Sequence, residues 1–385
     1  MSLWFSGKKD FNILVIDISS GSTSGALVAT SKGKVPRLLT AIESEYNFKV
    51  VDSAFSPDKA MLNSLGIVLD FIVKKISTMK KVRVDKAVIT FSSPWVDSYL
   101  KTVEIKKEKE FVFDEKFMLG VINEEKSIFQ NNLRESFSEE SEIFEAGVMD
   151  LYLNGYPASE PKKESVDEVE ISFILSASTK DLLTRIEDQI IKTLALRKGL
   201  VMHSFMYVFY KVLSHSFNNL HSALLINMTT HITDVLFLRH NNLALNANLP
   251  FGPASIIEAV AGKLNIPSEV ASSYLTLFAE GALDKDTTES IDKILTENET
   301  VWRDLWAEVK EKIIHTAEVP YSIFLVTDPK FGKLMKTFLE SVFPDKNIIL
   351  IGDTNTFTKE LVENSAKESK DERILLLSSF ANLIS

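Results

Sequence analysis

The run Asn12–Thr30, NILVIDISSGSTSGALVAT, constrains the fold of this chain more than any other stretch. Ile13 to Ile16 is an unbroken apolar run, as expected of a strand buried on both faces. It ends in a single carboxylate, Asp17, after which come six small residues, Ser19 to Ser24, and a second apolar segment, Ala26 to Ala29. Small hydroxyls and Gly21 let backbone amides approach a phosphate closely, and a carboxylate at the strand end suits hydrated Mg²⁺. Alone, the stretch is equally an ordinary hairpin with a polar turn. It is not alone: 210 positions on, Leu224–Leu238 reads LLINMTTHITDVLFL. Asn227 falls opposite Asp17, Thr229 and Thr230 opposite Ser19 and Ser20, and Thr233 opposite Thr23. Two strand–turn–strand units in two halves of one chain predict a duplicated α/β architecture with a cleft between the copies.

Composition narrows the function classes. At 385 residues the chain is long enough for two or more domains with sizeable cores. A net charge of −10 argues against general nucleic-acid binding, which needs clustered Lys and Arg. Without cysteine there is no thiol chemistry, disulfide or Cys-type zinc site, and the six histidines show no metal-binding spacing. No apolar run is long enough to span a bilayer, and MSLWFSGKKD lacks a signal-peptide core, so a cytoplasmic location is expected.

Along the chain, Leu38 to Val51 reads as strand, and Ser56-Pro57-Asp58 starts a helix whose stripe is Met61, Leu65, Val68, Ile72 and Ile76. Ala87 to Phe91 and Tyr99 to Lys106 read as strands, Phe113 to Phe129 as helix, and Ile143 to Tyr156 as strand around Asn154-Gly155. Glu160 to Glu168 is a charged loop and Val169 to Ala177 a strand. Lys180 to Leu196 and Leu200 to Leu213 read as helices, and Asn246 to Ser255 brings a strand to Gly252 before a helix through Leu264. Pro267 to Phe278 and Ile291 to Ile314 are two more helices, the second with Trp302, Leu305, Trp306 and Val309 on its core face. Ser322 to Val326 is a buried strand ahead of a helix to Phe343, and Asn347 to Ile351 a last core strand. Phe357 to Lys370 reads as loop or exposed helix, and apolar Arg373 to Ile384 as a segment packed on the body.

This order resembles the actin-like ATPase superfamily, in particular the cell-division protein FtsA and the pilus assembly protein PilM. The resemblance implies an actin-like, ribonuclease H-like, two-lobed fold. It implies a first lobe in two parts, 1–84 and 178–221, around an inserted small α+β SHS2-like subdomain at 85–177. The second lobe is 222–385, with a helical part at about 266–318. It also implies a nucleotide site: Asp17 holding Mg²⁺, Ser19, Ser20, Gly21, Ser22 and Thr23 meeting the phosphates of ATP, and Asn227, Thr229, Thr230, Thr233, Asp234 and Gly252 closing from the other lobe.

The motifs depart from the family pattern. Ser19 stands where a glycine is expected, Asn227 where a second acid is, and Thr327-Asp328 where the adenosine turn is Gly-Gly. Asn227 removes a charge that would hold metal-bound water or orient the attacking water. For the residue that polarises that water, the nearest match is His203, which more readily caps or packs. The expectation is a cytoplasmic scaffold without efficient ATP hydrolysis, at the cytoplasmic face of the inner membrane. It would recruit division or pilus partners through the inserted subdomain and could self-associate. The rivals are a slow ATPase forming actin-like filaments, a sugar or acetate kinase of the same superfamily, and an inserted α+β elaboration with no partner.

Overall fold

A computed structural model describes residues 11–31, 33–47, 56–80, 82–136, 140–196, 199–217, 220, 222–239, 242–313, 319–352, 362–363 and 371–385. The lead-in Met1 to Asp10 and most of Phe357 to Lys370 lie outside this set.

The first lobe holds β1 (Phe11–Ile18), β2 (Ser22–Thr30), β3 (Arg37–Glu45), α1 (Pro57–Thr78) and β4 (Lys86–Phe91). Its sheet is completed much later by β9 (Leu200–Ser204), in the order β3-β2-β1-β4-β9. The second lobe repeats the plan with β10 (Ser222–Met228), β11 (Thr233–Arg239), β12 (Asn242–Leu249), β13 (Ser322–Thr327) and β14 (Asn347–Leu350), ordered β12-β11-β10-β13-β14. Each central strand pairs antiparallel with the next strand in sequence and parallel with the fourth. The register repeats too: Asp17 faces Ser24 across its hairpin, and Asn227 faces Asp234 across the other. The fold is thus the duplicated two-lobed one predicted from the repeat.

Between β4 and β9 the chain leaves the first sheet and builds a second, β5-β8-β6-β7, from β5 (Asp97–Phe113), β6 (Ser141–Leu153), β7 (Tyr156–Pro157) and β8 (Glu164–Thr179). One face is covered by α2 (Glu115–Ser136), over a core of Phe113, Phe129, Ile171, Phe173 and Leu175. The other face rests on the first lobe, where Glu145 accepts from the backbone and hydroxyl of Ser204 (3.0 and 2.7 Å), and Tyr210 donates to Asp150 (2.5 Å).

Four details differ from the sequence reading. The excursion starts after Phe91 rather than at Asp85, because β4 pairs in parallel with β1 as a first-lobe strand. Phe113 ends β5, and Asp114 accepts from the Phe117 amide (2.9 Å) to start α2 at Glu115. Half of the charged loop is strand, since Glu164 to Val166 pairs with Phe111 to Phe113. The apolar run Leu200 to Leu213 is a short strand, β9, before α4 (Phe205–Ser216); apolar texture alone cannot separate a buried strand from a buried helix.

Among the described residues the remaining helices are α3 (Lys180–Leu194), α5 (Pro253–Leu264), α6 (Ser268–Ala279), α7 (Lys285–Ile313), α8 (Gly332–Val342) and α9 (Glu372–Leu383). Trp302 of α7 is fully buried against Phe251 and Phe338, a core role. α9 and α4 both lie in one apolar core that spans the two sheets. Leu375, Leu376, Leu377, Phe380 and Ala381 are all buried there, so α9 is apolar around most of its circumference and belongs to the interior. Each large side chain contributes roughly 1.5–3 kcal/mol of burial, as an upper estimate. Among the described residues no helix is long and apolar enough to cross a membrane.

Candidate functional site

Each β-hairpin turn is closed by its own side chain in the same way. In the first, Ser19 donates to the Ser22 carbonyl through both its amide (3.0 Å) and its hydroxyl (3.0 Å). In the second, the Thr229 amide (2.9 Å) and hydroxyl (2.7 Å) donate to Ile232. The Ser22 amide turns back onto the Ser19 hydroxyl (3.2 Å). Three of the amides that could have met a phosphate are thus committed within the turns.

The two turns also touch. The Ser20 hydroxyl lies 2.8 Å from that of Thr229 and accepts from the His231 amide at 2.8 Å. Gly21 is pressed on Thr230, where a Cβ on Gly21 would fall 2.3 Å from the Thr230 Oγ1. Behind Thr230 stands Gly252, whose own Cβ would fall 2.3 Å from the Thr229 carbonyl oxygen. Beneath the turns, Asn227 donates to the Ser92 hydroxyl (3.0 Å) and to Asp234 (3.3 Å), and Asp234 accepts the Ser93 amide (3.3 Å). The lobes are therefore joined from the turn tips down to the strand ends.

Asp17 is 1% exposed, and both its oxygens are engaged. Oδ1 accepts from Thr90 on β4 (2.7 Å), and Oδ2 lies 3.2 Å from Nε of Arg373 at the head of α9. The Arg373 guanidinium also stands 3.8 Å from Asp371 and 3.9 Å from Glu43. Next to it, Glu372 is buried and takes the Thr327 amide at 3.4 Å.

The structure brings Asp17, Ser20, Gly21, Asn227, Thr229, Thr230, Asp234 and Gly252 into one cross-lobe cluster. Ser19 serves its own turn, and Ser22 also hydrogen-bonds the Glu43 carboxyl. Thr23 donates to the Tyr46 hydroxyl (3.4 Å) and Thr233 to the Phe251 carbonyl (2.7 Å), so both brace the loops from behind. His203 lies away from the turns, with Nδ1 2.7 Å from Glu145 and its ring stacked on Tyr207. Sequence reasoning missed Arg373, Glu43, Asp371 and Glu372. It also missed Tyr46 and Trp95, which both donate to the Ser19 carbonyl (2.9 and 2.6 Å). The one local hint was a lone cation at the head of an apolar helix, Asp371-Glu372-Arg373.

The fit to a Mg-nucleotide fails on these contacts. Hydroxyls in contact across the cleft leave no space for a phosphoryl group between the turns, and a guanidinium occupies the metal side of Asp17. Among the described residues no group of three or more His, Asp or Glu is placed to hold a metal ion.

Burial dominates the titration of the acids here. It lifts Asp17 to about 6 against the lowering pull of Arg373, and lifts Glu43 to about 7 and Glu372 to about 8. In the unfolded chain such groups titrate near 4. Their protonated forms are favoured by folding, so their contribution to stability is complete below about pH 4 and is lost as pH climbs through 6 to 8. The melting temperature is expected to fall between about pH 4 and about pH 8 in thermal unfolding followed by circular dichroism. A flat or rising profile would contradict this placement of the acids.

No protein-family profile matches the sequence, and no curated protein matches it. The structure is similar to one in the PilM–PilN type IV pilus biogenesis complex, with a TM-score of 0.61, 12% identity, and 96% of each chain covered. It is also similar to the ethanolamine utilization protein EutJ from Carboxydothermus hydrogenoformans (TM-score 0.48, 8% identity, 96% of this chain and 88% of that one). A third is MreB 5 of Spiroplasma citri bound to AMPPNP (TM-score 0.48, 10% identity, 97% of each chain). At these identities the likeness is one of fold, and the fold is actin-like.

Proposed function

We propose, from an actin-like fold whose two phosphate loops are pressed together, that this chain is a scaffold that recruits protein partners and does not turn over ATP. The single observation that carries the reading is the Ser20–Thr229 hydroxyl contact at 2.8 Å, made between the two turns where a bound nucleotide would need an open cleft. The replacement of the second-loop acid by Asn227 supports it, because that carboxylate is what would orient metal-bound or attacking water.

PilM belongs to a complex with PilN, and by analogy the partner here is an inner-membrane component of a pilus or division apparatus. The inserted sheet with α2 supplies the partner surface. It is well suited to that work: it is anchored rigidly through Glu145 and Asp150, while α2 and the β6–β7 turn project from the body with Leu119 and Tyr156 exposed.

Two measurements test the reading. Mg-ATP is expected to shift the melting temperature by less than about 1 °C, since only a ligand bound to the folded form stabilises it. Phosphate release is expected not to exceed that of an Asp17→Asn control. Release above that control would favour the rival reading, a slow ATPase that assembles into filaments. The partner claim is tested by calorimetric titration with the cytoplasmic peptide of a co-encoded inner-membrane assembly protein. Tyr156→Ala or Leu119→Asp is expected to weaken that binding about tenfold, the loss of a buried contact at an interface centre.

A further inference from the structure

We propose that Arg373 is the resident cation of the phosphate-loop site: carried in on α9, it stands against Asp17 in place of a divalent metal and holds the two lobes shut with no ligand.

Four observations carry this. First, the guanidinium is 3% exposed and its nearest carboxylate is Asp17, at 3.2 Å, the residue at the strand end that the fold would use for metal. Second, its other neighbours, Asp371 at 3.8 Å and Glu43 at 3.9 Å, come from α9 and β3, so three elements converge on one positive charge. Third, the residue is fixed from its backbone: its amide donates to the Asp371 side chain (3.0 Å), the cap of α9. Fourth, the adjoining Glu372 reaches the other lobe's late strand through the Thr327 amide, and a Cβ on Gly352 would fall 2.3 Å from its Oε1. The head of α9 thus spans the first-lobe acids and the end of β13. With Arg373 between them the described acids form no metal-ligand group; the guanidinium meets their charge with a fixed, always-charged fork, and only its removal would let their oxygens draw together on a hard divalent ion. The arrangement accounts for the closed turns without invoking a ligand. It rests on the closed-loop reading proposed above; an Mg-ATP shift of the wild type would sink both, whereas a metal-indifferent Arg373→Ala would sink this inference alone.

The test is metal-dependent stability of the full chain. The wild-type melting temperature is expected to move by less than about 1 °C with millimolar Mg²⁺ or Mn²⁺, with or without ATP. Arg373→Ala leaves buried carboxylates uncompensated and is expected to melt about 5 °C lower or more. Millimolar Mn²⁺ should restore at least half of that loss, and adding Asp17→Asn should abolish the restoration. Arg373→Lys, which keeps the charge, should remain folded and insensitive to metal. The proposal is overturned if Arg373→Ala does not respond to metal, or if Mg-ATP stabilises the wild type by several degrees. If Arg373→Ala does not accumulate folded, Arg373→Lys decides: a folded, metal-indifferent Lys variant supports a charge requirement, and an unfolded one refutes it.

Discussion

Asn227→Asp is expected to destabilise the protein by about 3–5 kcal/mol. Asn227 is fully buried, and its Nδ2 donates both to Ser92 and to Asp234. Aspartate turns that donor into an acceptor and sets two carboxylates facing each other where one amide bridge had been. Asp234 is already pushed above the usual carboxylate range by burial. One of the pair must then take up a proton at neutral pH, and holding a carboxyl about three pKa units high costs about 4 kcal/mol. Asn227→Ala takes its donor from the Ser92 hydroxyl but leaves Asp234 the Ser93 amide, and should lose less, about 1–3 kcal/mol. The order of the two variants in urea unfolding is the decisive readout. The Asp variant should also recover towards about pH 4, where its new carboxyl is protonated and can donate. An Asp variant as stable as wild type at neutral pH would mean that the cleft opens to water there, against the closed geometry.

Gly252→Ala is expected to cost about 3 kcal/mol or more, at the upper end for overpacking. Its backbone, at φ −161°, suits any residue, so conformation is not the obstacle. The obstacle is what the methyl meets: the carbonyl oxygens of Thr229 and Thr230, at 2.3 and 2.5 Å. These are backbone atoms, and Thr230 is held by the Ala254 amide donating to its carbonyl (3.0 Å). Gly21→Ala offers the contrast, because its methyl meets the Thr230 side chain instead. Its loss should be largely relieved by adding Thr230→Gly, whereas no side-chain change at Thr229 or Thr230 should relieve Gly252→Ala. Urea midpoints of the two singles and two doubles check this, and rescue of Gly252→Ala by Thr230→Gly would disprove the backbone origin of the clash.

The parts of this fold that were legible in the sequence are those whose signal is local. A strand, a small-residue turn and a returning strand lie within twenty residues, so the match of Asp17 to Asn227 survives as register in the structure. The helix from Pro57 was legible through its cap and its stripe. The ambiguous stretches were those where neighbours decide. Leu200 to Ser204 is a strand because β4 is there to pair with, and Glu164 to Val166 because β5 is. The closure of the cleft was out of reach for the same reason. Ser20 meets Thr229 across 209 positions, and nothing near either residue says that the turns touch. Arg373 looked like the first residue of an apolar tail, and its true surroundings come from β1 and β3 at the far end of the chain. Substitutions such as Asn227 spoke only to what the site lacks, while what fills it is a matter of tertiary placement.

The position of α9 has a consequence for biosynthesis. Strands β1 and β2 are made first, yet part of the apolar surface they share with α4 is covered by Leu376, Leu377 and Phe380. A nascent chain still short of residue 383 therefore carries an unfinished interior between its two sheets.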